Sequence, residues 1–310
     1  SLFEKSLINF MFSKLEKKKS NFKDEINYLM LSHQQCYKSN TEYNNQSNFY
    51  YNNIIFHYFN KIKFQGNFKK INLNKAKAIF IIGLPRSGST LIETLISHNS
   101  QNIDTVGEFH AINRSVLDQI GPVIYSKNFD HKNFEFILDQ NKFQISLLEK
   151  YENLKSDSFI DKSLENFFNI EIILKFFPDA KFLHTYRDFN DAVLGIHQKM
   201  LPELSWSHDL KSIIQYVKNY KKIIDYFKKK YPSQILDVEL DKLTNEQQTE
   251  AKKILEFCNI KFKKDYLDFY KNKTLFNKTN SFLQVREKIQ KYKTNKYQPY
   301  YYLLDKFKVS

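Results

Sequence analysis

The rhythm of apolar and polar residues changes character once along the chain. Up to about residue 62 the apolar positions recur every three or four residues. Phe3, Leu7, Phe10 and Met11 form one such set and Phe22, Ile26, Leu29 and His33 another, with "KKKSN" as a polar turn between them. That spacing puts each set on one face of a helix and predicts a helical hairpin whose two stripes pack as core. A third helix is expected around residues 49–62. It leads into "KFQGNFKKINLNKAK", a polar, Gly- and Asn-bearing connector that marks a domain boundary.

From Ala76 onward short apolar runs alternate with helical stretches. "AIFIIG" (78–83), "FID" (159–161), "AKFLHTY" (180–186) and "SQILDVEL" (233–240) read as strands, and "LENFFNIEIILKFF" reads as a helix between two of them. Such alternation predicts an α/β fold: a P-loop NTPase-like parallel sheet flanked by helices over residues 76–310, after an N-terminal helical hairpin segment over residues 1–75. Ligands of such sheets bind beyond the carboxyl ends of the strands. Gly83–Thr90, Lys162 and Arg187 all fall at that edge.

Composition narrows the function classes. The 48 basic and 34 acidic residues give a formal charge of +14, but the lysines are scattered and Lys, Asn, Ile, Tyr and Phe are abundant throughout. No nucleic-acid partner is expected from so unfocused an excess, although it favours an anionic small molecule. Cys36 and Cys258 stand far apart, without the spacing of a disulfide framework or a thiolate metal site, and are expected as small buried hydrophobes. No apolar run reaches the ~18–20 residues of a membrane span, and the first twenty residues carry their charges in the wrong order for a secretory signal. A cytoplasmic protein without a metal is the expectation.

The densest chemical signal is "AIFIIGLPRSGSTLIETLISH", residues 78–98. Gly83 to Thr90 keeps the spacing of a phosphate-binding loop, G-x-x-x-x-G-K-[ST], except that Ser89 stands in the lysine position. A turn from strand to helix points backbone N–H groups and the positive end of a helix dipole at one spot, so it holds a phosphate whatever its side chains. In a kinase or NTPase the loop lysine neutralises the β- and γ-phosphates. Here Arg86 supplies the loop's only strong positive charge, which suits a donor with one phosphate fewer.

At these residues the chain resembles the sulfotransferases that use 3′-phosphoadenosine 5′-phosphosulfate (PAPS). The "PRSG" variant of the loop is similar to that of tyrosylprotein sulfotransferases and of bacterial tetratricopeptide-repeat sulfotransferases. The resemblance continues through "VGEF" (106–109), "DKSLEN" (161–166), "FFPDAKFLHTYRD" (176–188) and "TNSFLQVREKIQ" (279–290), covering residues 76–300 in order. The hairpin at residues 1–40 resembles the last repeat of the tetratricopeptide region preceding this domain in the bacterial members.

The resemblance implies a metal-free transfer of a sulfonate group from PAPS to a hydroxyl acceptor, either a peptide tyrosine or a sugar. Arg86, Ser87, Gly88, Ser89 and Thr90 are then expected to wrap the 5′-phosphosulfate, and Arg187 to hold the 3′-phosphate through its two-pronged guanidinium. Glu108 matches the family's general base, Lys162 the lysine at the leaving oxygen, and Ser281 the serine assisting that group. Gln284, Arg286 and Lys296 match positions that meet the nucleotide. The residues leave alternatives beside each role. Glu108 could cap the helix that follows it, His110 or His184 could be the base, Lys162 could be a solvated lysine, and Arg187 could pair with Asp188 or Asp191.

The chain departs from the family pattern at four places. Gly195 replaces the serine expected as a second 3′-phosphate ligand, Phe189 and Leu164 replace prolines, and Leu240 replaces a tyrosine near the nucleotide base. Two other classes compete with the sulfotransferase reading: a P-loop nucleotide kinase or NTPase, and a catalytically inactive binding module acting through a protein partner on its helical N-terminal segment.

Overall fold

The structure, a computed structural model, describes residues 1–66, 77–100, 102–130, 132–271, 287–291, 296–305 and 307. The chain divides into two compact units. One comprises Ser1–His57, Asp188–Lys222 and Lys293–Ser310; the other comprises Tyr58–Arg187 and Ile223–Tyr292.

In the first unit the hairpin forms as helices Leu2–Lys18 and Phe22–Ser39. The second helix starts at Asn21, whose side chain accepts from the Asp24 N–H. Of its stripe, Ile26, Leu29 and His33 are buried as expected, whereas Phe22 is 39% exposed. The stripe of the first helix is not buried: Phe3, Leu7 and Met11 are 39%, 39% and 65% exposed. The reason lies in the seam between the helices, which is lined by small polar residues. Ser6, Ser13 and Ser32 are fully buried there, the Ser32 hydroxyl donates to the Ser6 carbonyl at 2.7 Å, and Asn9 donates to Gln35 at 2.9 Å. Serines let the two helices meet closely, and the apolar arc of Leu7, Ile8, Met11, Phe12 and Leu15 is left facing outward.

The third helix begins earlier than its apolar content suggests, at Thr41, and runs to Phe49 before a π-helical turn over Tyr50–Ile55. Two buried polar clusters knit this unit. Glu25 accepts from Tyr300 Oη at 2.6 Å and Lys17 Nζ at 3.3 Å. His33 lies with Nε2 2.8 Å from the His197 carbonyl and Nδ1 3.2 Å from His208 Nδ1. A carbonyl only accepts, so Nε2 of His33 carries the proton and its Nδ1 receives the N–H of His208. Burial pushes the His33 imidazole down to about 4 and depresses His197 and His208 as well.

The second unit is the α/β body. Its five-stranded sheet has the order β3-β5-β2-β6-β7, where β2 is Lys77–Gly83, β3 Asp104–Gly107, β5 Ser158–Asp161, β6 Lys181–Tyr186 and β7 Ile235–Glu239. Every pairing is parallel, so the carboxyl ends share one edge. The period-two alternation of β2 sorts its side chains onto two faces. Ile79 and Ile81 join Ile92, Leu95 and Ile96 of helix Ser89–Asn99 in one core. Phe80 joins an aromatic cluster, 5.9 Å from Phe159 and 5.6 Å from Phe182 between ring centres. With both faces covered, the central strand β2 reads as a continuous apolar run.

Two details differ from expectation. Lys63–Gln65, inside the predicted connector, forms β1 and pairs in parallel with β4, Ile137–Asp139; the remainder of that connector, 67–76, lies outside the described residues. The helix expected over "LENFFNIEIILKFF" starts as a 3-10 turn, Leu164–Asn169, and becomes α-helical only over Ile170–Phe176. Its first turn is tied to the strand end by hydrogen bonds of Asn166 to Ser163 and to Asp161, which favour the tighter winding.

Candidate active site

The loop leaves the central strand at Gly83, whose φ is +143°. A Cβ there would lie 2.2 Å from the Thr185 carbonyl oxygen of β6, so only glycine fits. Gly88, with φ +91°, would push a Cβ to 2.7 Å from Leu240 Cδ1. Arg86 also takes a positive φ of 68°, unusual for a residue with a side chain. β6 holds this turn in place: the Thr185 hydroxyl donates to the Ser87 carbonyl, and Arg187 Nη1 donates to the Arg86 carbonyl at 3.1 Å.

Helix Ser89–Asn99 then begins with Gly88 as its N-cap and no side-chain capping bond. The dipole of that helix start favours an anion there. The Ser87 hydroxyl is buried, and among the described residues its Oγ has no hydrogen-bond partner. A buried polar atom in that state costs free energy unless a ligand satisfies it. The turn thus fits a phosphate-bearing group, with Arg86, Ser87, Gly88, Ser89 and Thr90 gathered around one helix start.

Beside the loop, at the ends of β3 and β5, lies a charged cluster. Lys162 follows β5 and is fully buried, not solvated. Its backbone N–H donates to the Gly107 carbonyl at 2.9 Å, which fixes it against the end of β3. Its Nζ donates to Glu108 Oε1 at 2.9 Å and lies 3.5 Å from Glu93 Oε2. The side chain of Glu108 is half exposed whereas that of Glu93 is buried. Glu93 comes from the helix after the loop and also accepts from the Thr105 hydroxyl. Glu108 does not cap the helix Ala111–Ile124: the N-cap is His110, and no side-chain capping bond is present.

A second layer holds this cluster. Asp161, fully buried, accepts from Tyr151 Oη at 2.7 Å, the Ser163 N–H at 2.8 Å and Asn166 Nδ2 at 3.2 Å. Burial pushes its carboxyl up against the pull of those donors, and burial beside Asp161 pushes the Tyr151 phenol well above its ordinary value. His110 sits at φ +57°, its N–H donates to Ser163 Oγ at 2.7 Å, and its Nδ1 meets Glu165. Burial opposes the charged imidazolium, but the Glu165 carboxylate outweighs it and raises His110 above its ordinary value. His184 lies within β6, 2.7 Å from Asp237, and burial lowers it despite that partner.

Ser281, Gln284 and Arg286 fall outside the described residues. Lys296 belongs to the first unit, exposed, with its ammonium 5.7 Å from the Tyr297 ring centre. Of the departures from the family pattern, Leu240 packs against Gly88, and Gly195 is buried in helix Phe189–His197 of the first unit. The sequence reading missed Glu93, Asp161, Ser163 and Glu165. The signal for Glu93 is a lone carboxylate on the helix after the loop, at a position that helical spacing leaves between the buried Ile92 and Leu95. Among the described residues no group of three or more His, Cys, Asp or Glu could hold a metal ion, and no helix is long and apolar enough to cross a membrane.

A glycine-framed turn on a parallel sheet thus stands beside a buried lysine and its carboxylates at the same edge. The sequence profile of the Sulfotransferase family matches residues 78–264. That span is more than half of the chain, which belongs to the sulfotransferase family.

An uncharacterized protein of Aquifex aeolicus (strain VF5) is 27% identical over 236 residues, which are 72% of this chain and 31% of the relative; the chain thus spans under a third of that protein's length. Among solved structures, the sulfotransferase domain of the Synechococcus PCC 7002 olefin synthase is 16% identical, with a TM-score of 0.47 over 75% of this chain and 91% of that one. The sulfotransferase domain from the curacin biosynthetic pathway is 14% identical, with a TM-score of 0.45 over 68% and 87%. A sulfotransferase of Mycobacterium avium is 13% identical, with a TM-score of 0.46 over 77% and 79%.

Proposed function

We propose that the protein transfers a sulfonate group from PAPS to the hydroxyl of a peptide tyrosine or a carbohydrate, in the manner of the tyrosylprotein and tetratricopeptide-repeat sulfotransferases. The observation that carries this reading is the pairing of a lysine-free phosphate turn, with its buried unsatisfied Ser87 hydroxyl, and the Lys162–Glu108 pair at the neighbouring strand ends. When bound, PAPS supplies the sulfonate and a leaving 5′-phosphate. The turn from Arg86 to Thr90 would orient that phosphate with backbone N–H groups, hydroxyls and one guanidinium. Arg187, already anchored to the turn through the Arg86 carbonyl, would hold the 3′-phosphate.

Glu108 is exposed enough to reach an acceptor hydroxyl and take its proton, while Lys162 meets the charge that develops on the leaving oxygen. Ser281, Gln284, Arg286 and Lys296 complete the nucleotide contacts in this proposal, and no metal takes part. Residues 76–310 are assigned as the sulfotransferase domain and residues 1–75 as the end of a repeat region, in a cytoplasmic protein. The outward apolar arc of helix Leu2–Lys18 supports a protein partner at that segment.

The reading is tested by calorimetric titration with adenosine 3′,5′-bisphosphate. Binding at micromolar concentration, weakened at least tenfold by Arg187→Ala, is expected. No binding at high micromolar concentration, or magnesium-dependent ATP turnover instead, would count against it. Mass-spectrometric detection of a sulfonated product across phenol and sugar acceptors would then choose the acceptor.

A further inference from the structure

Lys162 and Glu108 hold each other at 2.9 Å, yet the proposed reaction needs both of them elsewhere. Glu108 must face an acceptor hydroxyl, and Lys162 must face the oxygen that leaves with the 5′-phosphate. A fully buried ammonium that simply let go of its partner would be a desolvated, uncompensated charge. Glu93 resolves this conflict. It is 2% exposed, its Oε2 lies 3.5 Å from Lys162 Nζ, and its Oε1 is tethered by the Thr105 hydroxyl. It stands on the same helix whose first turn forms the phosphate seat.

We propose that Glu93 is a positioning residue that keeps hold of Lys162 when the lysine turns from Glu108 to the leaving group. The inference rests on the PAPS reading above. The tether to Thr105 fixes the carboxylate, and the carboxylate fixes the pivot of the lysine. Glu108 is thereby released as base at the moment the lysine is delivered. In the step itself the bond between sulfur and the 5′-phosphate oxygen breaks and its electron pair stays on that oxygen, facing Lys162. A new bond forms between sulfur and the acceptor oxygen, whose proton passes to Glu108. Glu93 touches none of the reacting atoms.

The test uses the whole chain, with water as the acceptor so that no further substrate is needed. Single-turnover release of sulfate from PAPS is followed beside calorimetric binding of adenosine 3′,5′-bisphosphate. Glu93→Gln keeps the acceptor for Thr105 and leaves Lys162 only Glu108. It is expected to lower the sulfate-release rate about 30-fold while nucleotide affinity changes less than threefold. Thr105→Val, which frees the carboxylate without removing it, is expected to lower the rate about threefold and serves on its own if Glu93→Gln does not fold.

Equal rates in the wild type and in the folded variants overturn the inference. So does a parallel loss of rate and affinity, which would mark Glu93 as part of the scaffold. Wild-type protein that binds nucleotide yet releases no sulfate above the uncatalysed rate also overturns it, because a delivered lysine must accelerate that release. A wild type that binds no nucleotide removes the PAPS reading itself, and this inference with it.

Discussion

Each unit buries a cluster of titratable side chains, and the two clusters solve the same problem in opposite ways. At the strand ends, Lys162 sits between two carboxylates, so its charge is balanced where it lies. In the helical unit, His33, His197 and His208 are three groups of one kind with, among the described residues, no carboxylate in their hydrogen bonds, so they survive burial by staying neutral. The first arrangement retains a charge inside the protein, which the proposed transfer would use; the second fixes helices and carries no charge. Burial alone therefore does not single out the candidate site. What singles it out is burial of a charge that could have been avoided.

The sharpest way to break the contrast is Lys162→Met. It strands Glu93 as a buried carboxylate without its ammonium, and should destabilise the α/β unit by about 3–5 kcal/mol in urea denaturation. The next effect is one of pH on the helical unit. Burial depresses His33 to about 4, below its ordinary value of 6.5, so the unfolded chain takes up the proton first as pH falls. The stabilisation is complete above about pH 6.5 and is lost as pH drops toward 4; at pH 5 His33 alone should cost about 2 kcal/mol relative to pH 7.

Replacing that group sharpens the point. His33→Gln should lower stability at pH 7 yet flatten its fall between pH 7 and pH 5, as read from melting temperature against pH. The smallest effect is expected for Tyr151→Phe. Removing the phenol takes away one of the donors to Asp161 and should cost about 1 kcal/mol in stability. A loss of nucleotide affinity in that variant larger than its loss of stability would mean that Asp161 shapes the Lys162 turn directly.

How much of this was legible in the residues depends on what fixes each feature. "AIFIIG" was readable because a strand covered on both faces is apolar throughout, and the other three from short apolar runs between helical stretches; each is found within two residues of its expected bounds. The tight turn from Gly83 to Gly88 was readable because its glycines answer to backbone geometry alone. The outward stripe of the first helix was misread, since periodicity shows that an apolar face exists and not what covers it; the serines in the seam decided that. The parallel pair β1 and β4 was missed because three-residue strands leave no period to detect. Glu93 shows locally only as a lone carboxylate among buried apolar positions; its meaning comes from Lys162, sixty-nine positions away, and no local pattern joins them.

The stitching of the turn to β6 has a consequence for kinetics. Gly83 abuts the Thr185 carbonyl, the Thr185 hydroxyl grips the Ser87 carbonyl, and Arg187 grips that of Arg86, so the seat is already in shape before anything arrives. An incoming anion has no loop to reorganise, and its arrival rate should rise linearly with concentration without levelling off in stopped-flow traces. Any slow, saturating phase would then belong to some other segment closing afterwards.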